Sequence, residues 1–315
     1  MIGDSLSRSY REALSKLLDI VRRNIYIGNF IYFCIRYSGL PFIFREVFQK
    51  NKVTILFFHD IEPKVAEEVF RYLVSNYNVI SLNNFFELYR RKEKFPEKSL
   101  IITFDDGHQS NYDLVPLFKK YNIPATIFLC SGIINTNRHF WFKEALSKEA
   151  HLSLTTEQLK KVPNSEKLQI LKEIEFELEK EYESLQALSK KQICEMSPYV
   201  DFQSHTLFHP CLTQCDDSEA HNEIFISKRI LEKEYSLVVN AIAYPNGDYS
   251  DRDIQLCMAA GYEFGLTTDF GFNTYNTDPF KLKRIYVYEK SSSINEIITH
   301  VSGVTDFIGH LLSYR

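Results

Sequence analysis

The stretch SLIITFDDG, residues 99–107, joins six residues suited to a buried β-strand to an acidic pair and a glycine. A short continuous apolar run closed by turn-forming residues is how a strand covered on both faces reads. Carboxylates placed directly after such a strand fall where α/β folds collect functional groups, at the carboxyl ends of parallel strands. Adjacent aspartates on extended backbone point to opposite sides, so a turn is needed to bring Asp105 and Asp106 to one centre, and Gly107 permits it. By itself the pair is equally compatible with a helix-capping turn.

Outward from this stretch the same unit repeats. Upstream, KVTILFF (52–58) reads as another buried strand, followed by helical periodicity over 65–76, a short strand NVIS (78–81) and a helix through Leu88. Downstream come a helix over 113–121 and a strand ATIFLC (125–130). After a gap follow a strand at 200–204, a helix at 217–235, a strand at 240–244, a helix at 251–260 and strands at 264–268 and 282–287. Strands alternating with helices imply parallel pairing with right-handed crossovers, an α/β fold of barrel type. Two regions stand outside the alternation. Residues 1–51 read as an N-terminal helical extension ahead of the main domain at 52–315. Residues from about 135 to 198 form a Leu-, Lys- and Glu-rich helical insertion whose charges read as solvated helix faces.

A chain of 315 residues with 44% hydrophobic content has ample material for one large domain. Its net charge of -4 offers no general attraction to phosphate backbones, so nucleic acid is not an expected partner. The 6 cysteines are scattered without a CxxC pair, which suits reduced thiols, and Cys211 and Cys215 read as small hydrophobes, not zinc ligands. No apolar run of signal-peptide type follows the early basic residues, so export is not indicated and a cytoplasmic location is expected. The apolar stretch 25–44 is interrupted by Asn29, Arg36 and Pro41, which argues against a bilayer-spanning helix. Its aromatics (Tyr26, Phe30, Tyr32, Phe33, Tyr37) suit either a helix covering the main domain or peripheral contact with the inner membrane.

Two further motifs lie at strand ends. HTLFHP (205–210) follows the strand at 200–204, and its imidazoles, four residues apart, bind one metal ion if the backbone turns between them. Pro210 disfavours an α conformation at His209, which places the pair on a loop or helix entry, not on a helix face. YPNG (244–247) follows the strand at 240–244 as a tight loop whose backbone N–H groups are able to meet an oxyanion. One carboxylate and two neutral imidazoles form a common catalytic metal set. Such a set keeps positions open for water and substrate and leaves the second aspartate for acid–base work.

In this order, TFDDG (103–107), HTLFHP (205–210) and YPNG (244–247) resemble the polysaccharide deacetylase family, also called the NodB-homology or carbohydrate esterase family 4. ILFFHD (55–60), NIPATIFL (122–129) and LKRIYV (282–287) extend the resemblance to roughly residues 52–288. It implies a distorted (β/α) barrel of the NodB-homology type and a divalent metal, usually zinc, held by Asp106, His205 and His209. It further implies Asp105 as general base, an oxyanion met by the backbone N–H of Asn246, and hydrolysis of an acetamide to amine and acetate. The implied partner is an N-acetylated glycan or lipid-linked sugar, with O-acetyl groups as a variant target.

Two positions depart from the family pattern. Where many members carry an arginine that orients the base, this chain has Ala243 and Tyr244. Where many carry a late histidine that protonates the leaving amine, it has Leu282-Lys283-Arg284, so Arg284 is expected in the site in another role and the general acid has no evident owner. Asp269 is a further candidate, with a turn as its alternative account. Two other readings remain: a different metallohydrolase such as a phosphoesterase, and a glycan-binding relative without catalysis.

Overall fold

The computed structural model describes residues 25–287, 293–305 and 307, so residues 1–24 of the expected N-terminal extension lie outside the described residues. Eight parallel strands form one curled sheet: β1 (Val53–Phe58), β2 (Asn78–Val79), β3 (Ser99–Phe104), β4 (Ala125–Leu129), β5 (Val200–Ser204), β6 (Ala241–Ala243), β7 (Phe264–Leu266) and β8 (Ile285–Tyr286). The order is β7-β6-β5-β4-β3-β1-β8, with β2 on β3. β1 runs along one side of β3 in register from Val53–Ser99 to Phe58–Phe104. The other side is shared: β2 takes Ser99 and Leu100, and β4 takes Thr103 and Phe104.

The two ends of the sheet meet through the segment before β8. Leu282 N donates to the Gly265 carbonyl and Thr267 N donates to the Leu282 carbonyl, each at 2.9 Å, making a short parallel seam. The fold is a distorted α/β barrel, as the alternation of strands and helices predicts.

Strand alternation divides the core into two layers. Val53, Ile55 and Ile101 point inward with Phe128, Ala243, Leu266 and Leu282, above a plug of Leu82, Phe85, Phe86 and Phe95. The helix Leu82–Arg91 supplies most of this plug, capped at its start by Ser81, and Phe86 stacks on Phe264 at a centroid distance of 3.8 Å. Leu56, Phe58, Leu100, Ile102 and Phe104 point outward beneath the surrounding helices. At two-residue spacing, Asp105 continues the inward row of Ile101 and Thr103.

The insertion is helical but broken into short pieces, Trp141–Ser147, Thr156–Leu159, Asn164–Leu171 and Lys190–Met196, around a small core of Trp141, Ala145, Leu159, Leu171, Ile174 and Phe176. Its charged residues are not uniformly solvated. Lys167 is 2% exposed with its ammonium 4.3 Å from the Trp141 ring centre, which corrects the expectation drawn from composition. Ahead of β1, the helix Ile25–Tyr37 lies near the helix Ile294–Val301, joined by Arg36 Nη1 donating to Asn295 Oδ1 at 2.6 Å.

Candidate active site

β1, β3, β5 and β6 each end at one point, and the chemistry is laid out on their carboxyl ends. Asp105 N extends the ladder by donating to the Phe58 carbonyl at 2.8 Å. The chain then turns at Asp106 itself, φ 69°, followed by Gly107 at φ 73°. The turn thus begins one residue earlier than expected. An aspartate tolerates the left-handed region better than most residues, and a Cβ on Gly107 would stand 2.6 Å from Leu129 Cδ2.

Asp105, 2% exposed, is gripped by Arg284, 1% exposed. Arg284 Nη1 and Nη2 donate to the two carboxylate oxygens at 2.8 Å each, and Nε donates to the Thr267 carbonyl at 2.8 Å. The guanidinium lies 4.3 Å from the Phe57 ring centre. Burial pushes the Asp105 carboxyl up, but the charge and hydrogen bonds of Arg284, with His205 and His59, hold it below the usual range. Asp105 is therefore an ionised carboxylate with fixed oxygens. The orienting arginine that is missing at Ala243 and Tyr244 reaches the aspartate here from beside β8.

The second carboxylate, Asp106, faces three imidazoles. Its Oδ1 lies 3.4 Å from His205 Nε2 and 3.3 Å from His209 Nε2, while Oδ2 lies 3.0 Å from His108 Nε2. Asp106, His205 and His209 are the group with metal-ligand geometry among the described residues, and Cys211 and Cys215 do not join it. Asp106 Oδ1 is buried without a hydrogen-bond partner. His205 Nδ1 stands 2.8 Å from the Ala243 carbonyl, which only accepts, so Nδ1 carries the proton and Nε2 turns its lone pair toward Asp106. Burial drives the His209 imidazole down to about 3 against the pull of Asp106, which keeps it neutral. An orphaned carboxylate oxygen facing the Nε2 atoms of two imidazoles fits a divalent cation.

The ligand loop is held from outside. Thr206 and His209 adopt φ of 67° and 57°. Glu223 Oε2 accepts from the amides of Leu207 and Phe208 at 2.8 Å each, and the Trp141 indole N–H donates to the His209 carbonyl at 2.8 Å. Asn246 sits at φ 56° in the loop after β6, its Nδ2 donating to Cys211 Sγ at 3.2 Å. Gly247 leaves no room for a side chain, since a Cβ would collide with Thr268. Asp269 is exposed; its carbonyl accepts from Arg284 N at 3.0 Å and its Oδ2 from the Tyr249 hydroxyl at 3.3 Å.

Sequence reasoning missed four contributors. His59 closes β1, half-buried between the rings of Phe57 (5.8 Å) and Tyr286 (5.7 Å), and acts electrostatically on both Asp105 and His209. Its position at a strand end, like that of the other motifs, is the signal that finds it. His108 lies two residues beyond Asp106, and nothing in its spacing marks it. Glu223 and Trp141 act through tertiary proximity alone.

Comparison with known proteins gives a consistent picture. The family described as polysaccharide deacetylase matches residues 92–265. A poly-beta-1,6-N-acetyl-D-glucosamine N-deacetylase of Staphylococcus epidermidis is 30% identical over 211 residues, covering 63% of this chain and 58% of that protein. A putative polysaccharide deacetylase of Bacillus subtilis is 25% identical over 247 residues, covering 75% of this chain and 71% of that one. Among solved structures, the Streptococcus pyogenes deacetylase PplD in complex with acetate superposes with a TM-score of 0.57 at 22% identity, covering 76% of this chain and 94% of that chain. IcaB from Ammonifex degensii gives 0.57 at 15% identity, covering 81% and 98%. These structural likenesses speak for the fold.

Proposed function

Because the chain belongs to the polysaccharide deacetylase family, we propose that it removes N-acetyl groups from a β-linked N-acetylglucosamine polymer or a lipid-linked sugar of that kind. The observation that carries the site reading is the convergence of Asp106 Oδ1 with the Nε2 atoms of His205 and His209 around an oxygen without a hydrogen-bond partner. These three residues would hold a divalent cation, zinc by donor chemistry. Such an ion, when bound, polarises a carbonyl and lowers the pKa of neighbouring water.

The rest of the chemistry falls to the chain's own groups. Asp105, fixed by Arg284, takes a proton from the attacking water as the new C–O bond forms. The backbone N–H of Asn246 faces the oxyanion. His59, which acts electrostatically on Asp105 from the end of β1, delivers a proton to the amide nitrogen as the C–N bond breaks, releasing acetate and a free amine. His59 thereby fills the acid role that the late segment around Arg284 leaves open. Zinc-loaded protein is expected to release acetate from a β-1,6-linked N-acetylglucosamine oligomer, and Asp105→Asn to slow that release by about 1000-fold. An unchanged rate in Asp105→Asn would remove the mechanism.

We also propose that the N-terminal face rests on the inner membrane. Phe30, Tyr37 and Phe42 are 67%, 65% and 59% exposed, beside Arg36 and Arg45. No helix among the described residues is long and apolar enough to cross a membrane, so contact through this face would be peripheral. Sedimentation with anionic vesicles tests it: equal binding by Phe30→Ser/Phe42→Ser protein would count against it.

A further inference from the structure

Four successive residues of the insertion, Phe140 to Lys143, reach the centre. The Phe140 ring meets His108 edge-on at a centroid distance of 4.9 Å. The Trp141 indole N–H holds the His209 carbonyl, and the Phe142 ring lies 4.9 Å from the His209 ring. Lys143 is the charged residue of the four, and its ammonium makes neither hydrogen bond nor ion pair among the described residues. Its ammonium stands 5.6 Å from the Phe140 ring centre.

The side chain of Lys143 is half-buried, so part of its hydration is lost without a partner that replaces it. Burial pushes its pKa down, and the carboxylates that oppose this are Asp60 and Asp106. Both are engaged elsewhere: Asp60 Oδ1 accepts from Ser110 Oγ at 2.6 Å, and Asp106 faces its imidazoles. The amine is thus a donor without a partner among the described residues, within electrostatic reach of Asp106.

We propose that Lys143 binds the substrate, its ammonium donating to hydroxyl oxygens of the sugar unit whose acetamide enters the centre, with the Phe142 ring offering apolar contact beside it. Sugar rings carry hydroxyls on their edges and C–H groups on their faces, and a lysine next to an aromatic ring meets both. On this account the insertion selects the substrate, while the barrel performs the hydrolysis. The inference rests on the deacetylase reading above, and its test separates the two.

Lys143→Met keeps the apolar stem and removes the charge, and Lys143→Arg keeps a cation. Initial rates and equilibrium binding are measured with a β-1,6-linked N-acetylglucosamine oligomer, alongside zinc content and melting temperature. Lys143→Met is expected to raise KM about tenfold and weaken binding equally, with kcat within about twofold and zinc content unchanged. Lys143→Arg is expected to restore most of the loss. KM and binding within about twofold of the parent overturn the assignment, as does a fall in kcat with a shifted pH profile at constant KM. Parent protein that binds the oligomer without turnover, with binding lost in Lys143→Met, removes the deacetylase reading and upholds Lys143. Parent protein that fails to bind at millimolar oligomer overturns Lys143 as well.

Discussion

The two halves of the centre are held in opposite ways. On the Arg284 side, each guanidinium nitrogen donates, and both oxygens of Asp105 accept at 2.8 Å. On the histidine side, Asp106 Oδ1 and His209 Nδ1 are buried without partners, and Asp106, Thr206 and His209 all take left-handed backbone. A buried polar atom left unmatched costs about 1–3 kcal/mol, and a non-glycine residue at positive φ adds to that. Asp105 is thus fully matched by groups of the chain itself, whereas Asp106 Oδ1 is left open toward the two imidazoles.

Breaking the ligand half is expected to have the largest effect. His205→Ala or Asp106→Ala should lower zinc from about one ion per chain to less than about a tenth and abolish acetate release, read by metal analysis and an acetate assay. Arg284→Met breaks the other half by stranding a buried carboxylate, which costs about 3–5 kcal/mol. Its midpoint in a denaturant titration should fall accordingly, while the folded fraction keeps its zinc. Loss of zinc in folded Arg284→Met protein would show that the halves are not independent.

A smaller effect is expected where the insertion braces the ligand loop. Trp141→Phe removes the indole donor to the His209 carbonyl, about 1 kcal/mol, and should weaken zinc binding several-fold in a chelator competition. Asp201 gives the mildest test and a contrast with Asp105. Both carboxylates are largely enclosed, but Asp201 is met by the neutral Gln203 amide at 3.0 and 3.2 Å, and burial pushes it up to about 6. A raised acid favours the folded state at low pH, and that contribution fades as pH climbs from near 4 through 6. Asp201→Asn should therefore gain up to about 2 kcal/mol over the parent at pH 8 and nothing near pH 3.

The strands were legible because β1 and β3 are buried along their whole length, which forces continuous apolar sequence. Asp105 and Asp106 were legible because they stand at the end of such a run, and His205 and His209 because they follow the strand at 200–204 four residues apart. The insertion was not. Its Lys and Glu content describes its outer faces, whereas Phe140, Trp141 and Lys167 are buried against the loop or against one another, through contacts between distant segments. Arg284 was legible as a site residue but not as the clamp on Asp105, because the 179 positions separating them close only when the sheet curls.

That separation also orders events in time. Leu282, whose backbone seals the sheet ends, stands two residues before Arg284, so closure of the barrel and immobilisation of the base are delivered by one short stretch. On the ribosome this stretch emerges after Asp105, Asp106, His205 and His209 have all been made. Until it arrives, Asp105 lacks the guanidinium that holds both its oxygens. A chain that stops short of this stretch carries Asp106, His205 and His209 and still lacks the group that fixes Asp105, which makes the order of the centre a report on the completeness of its own synthesis.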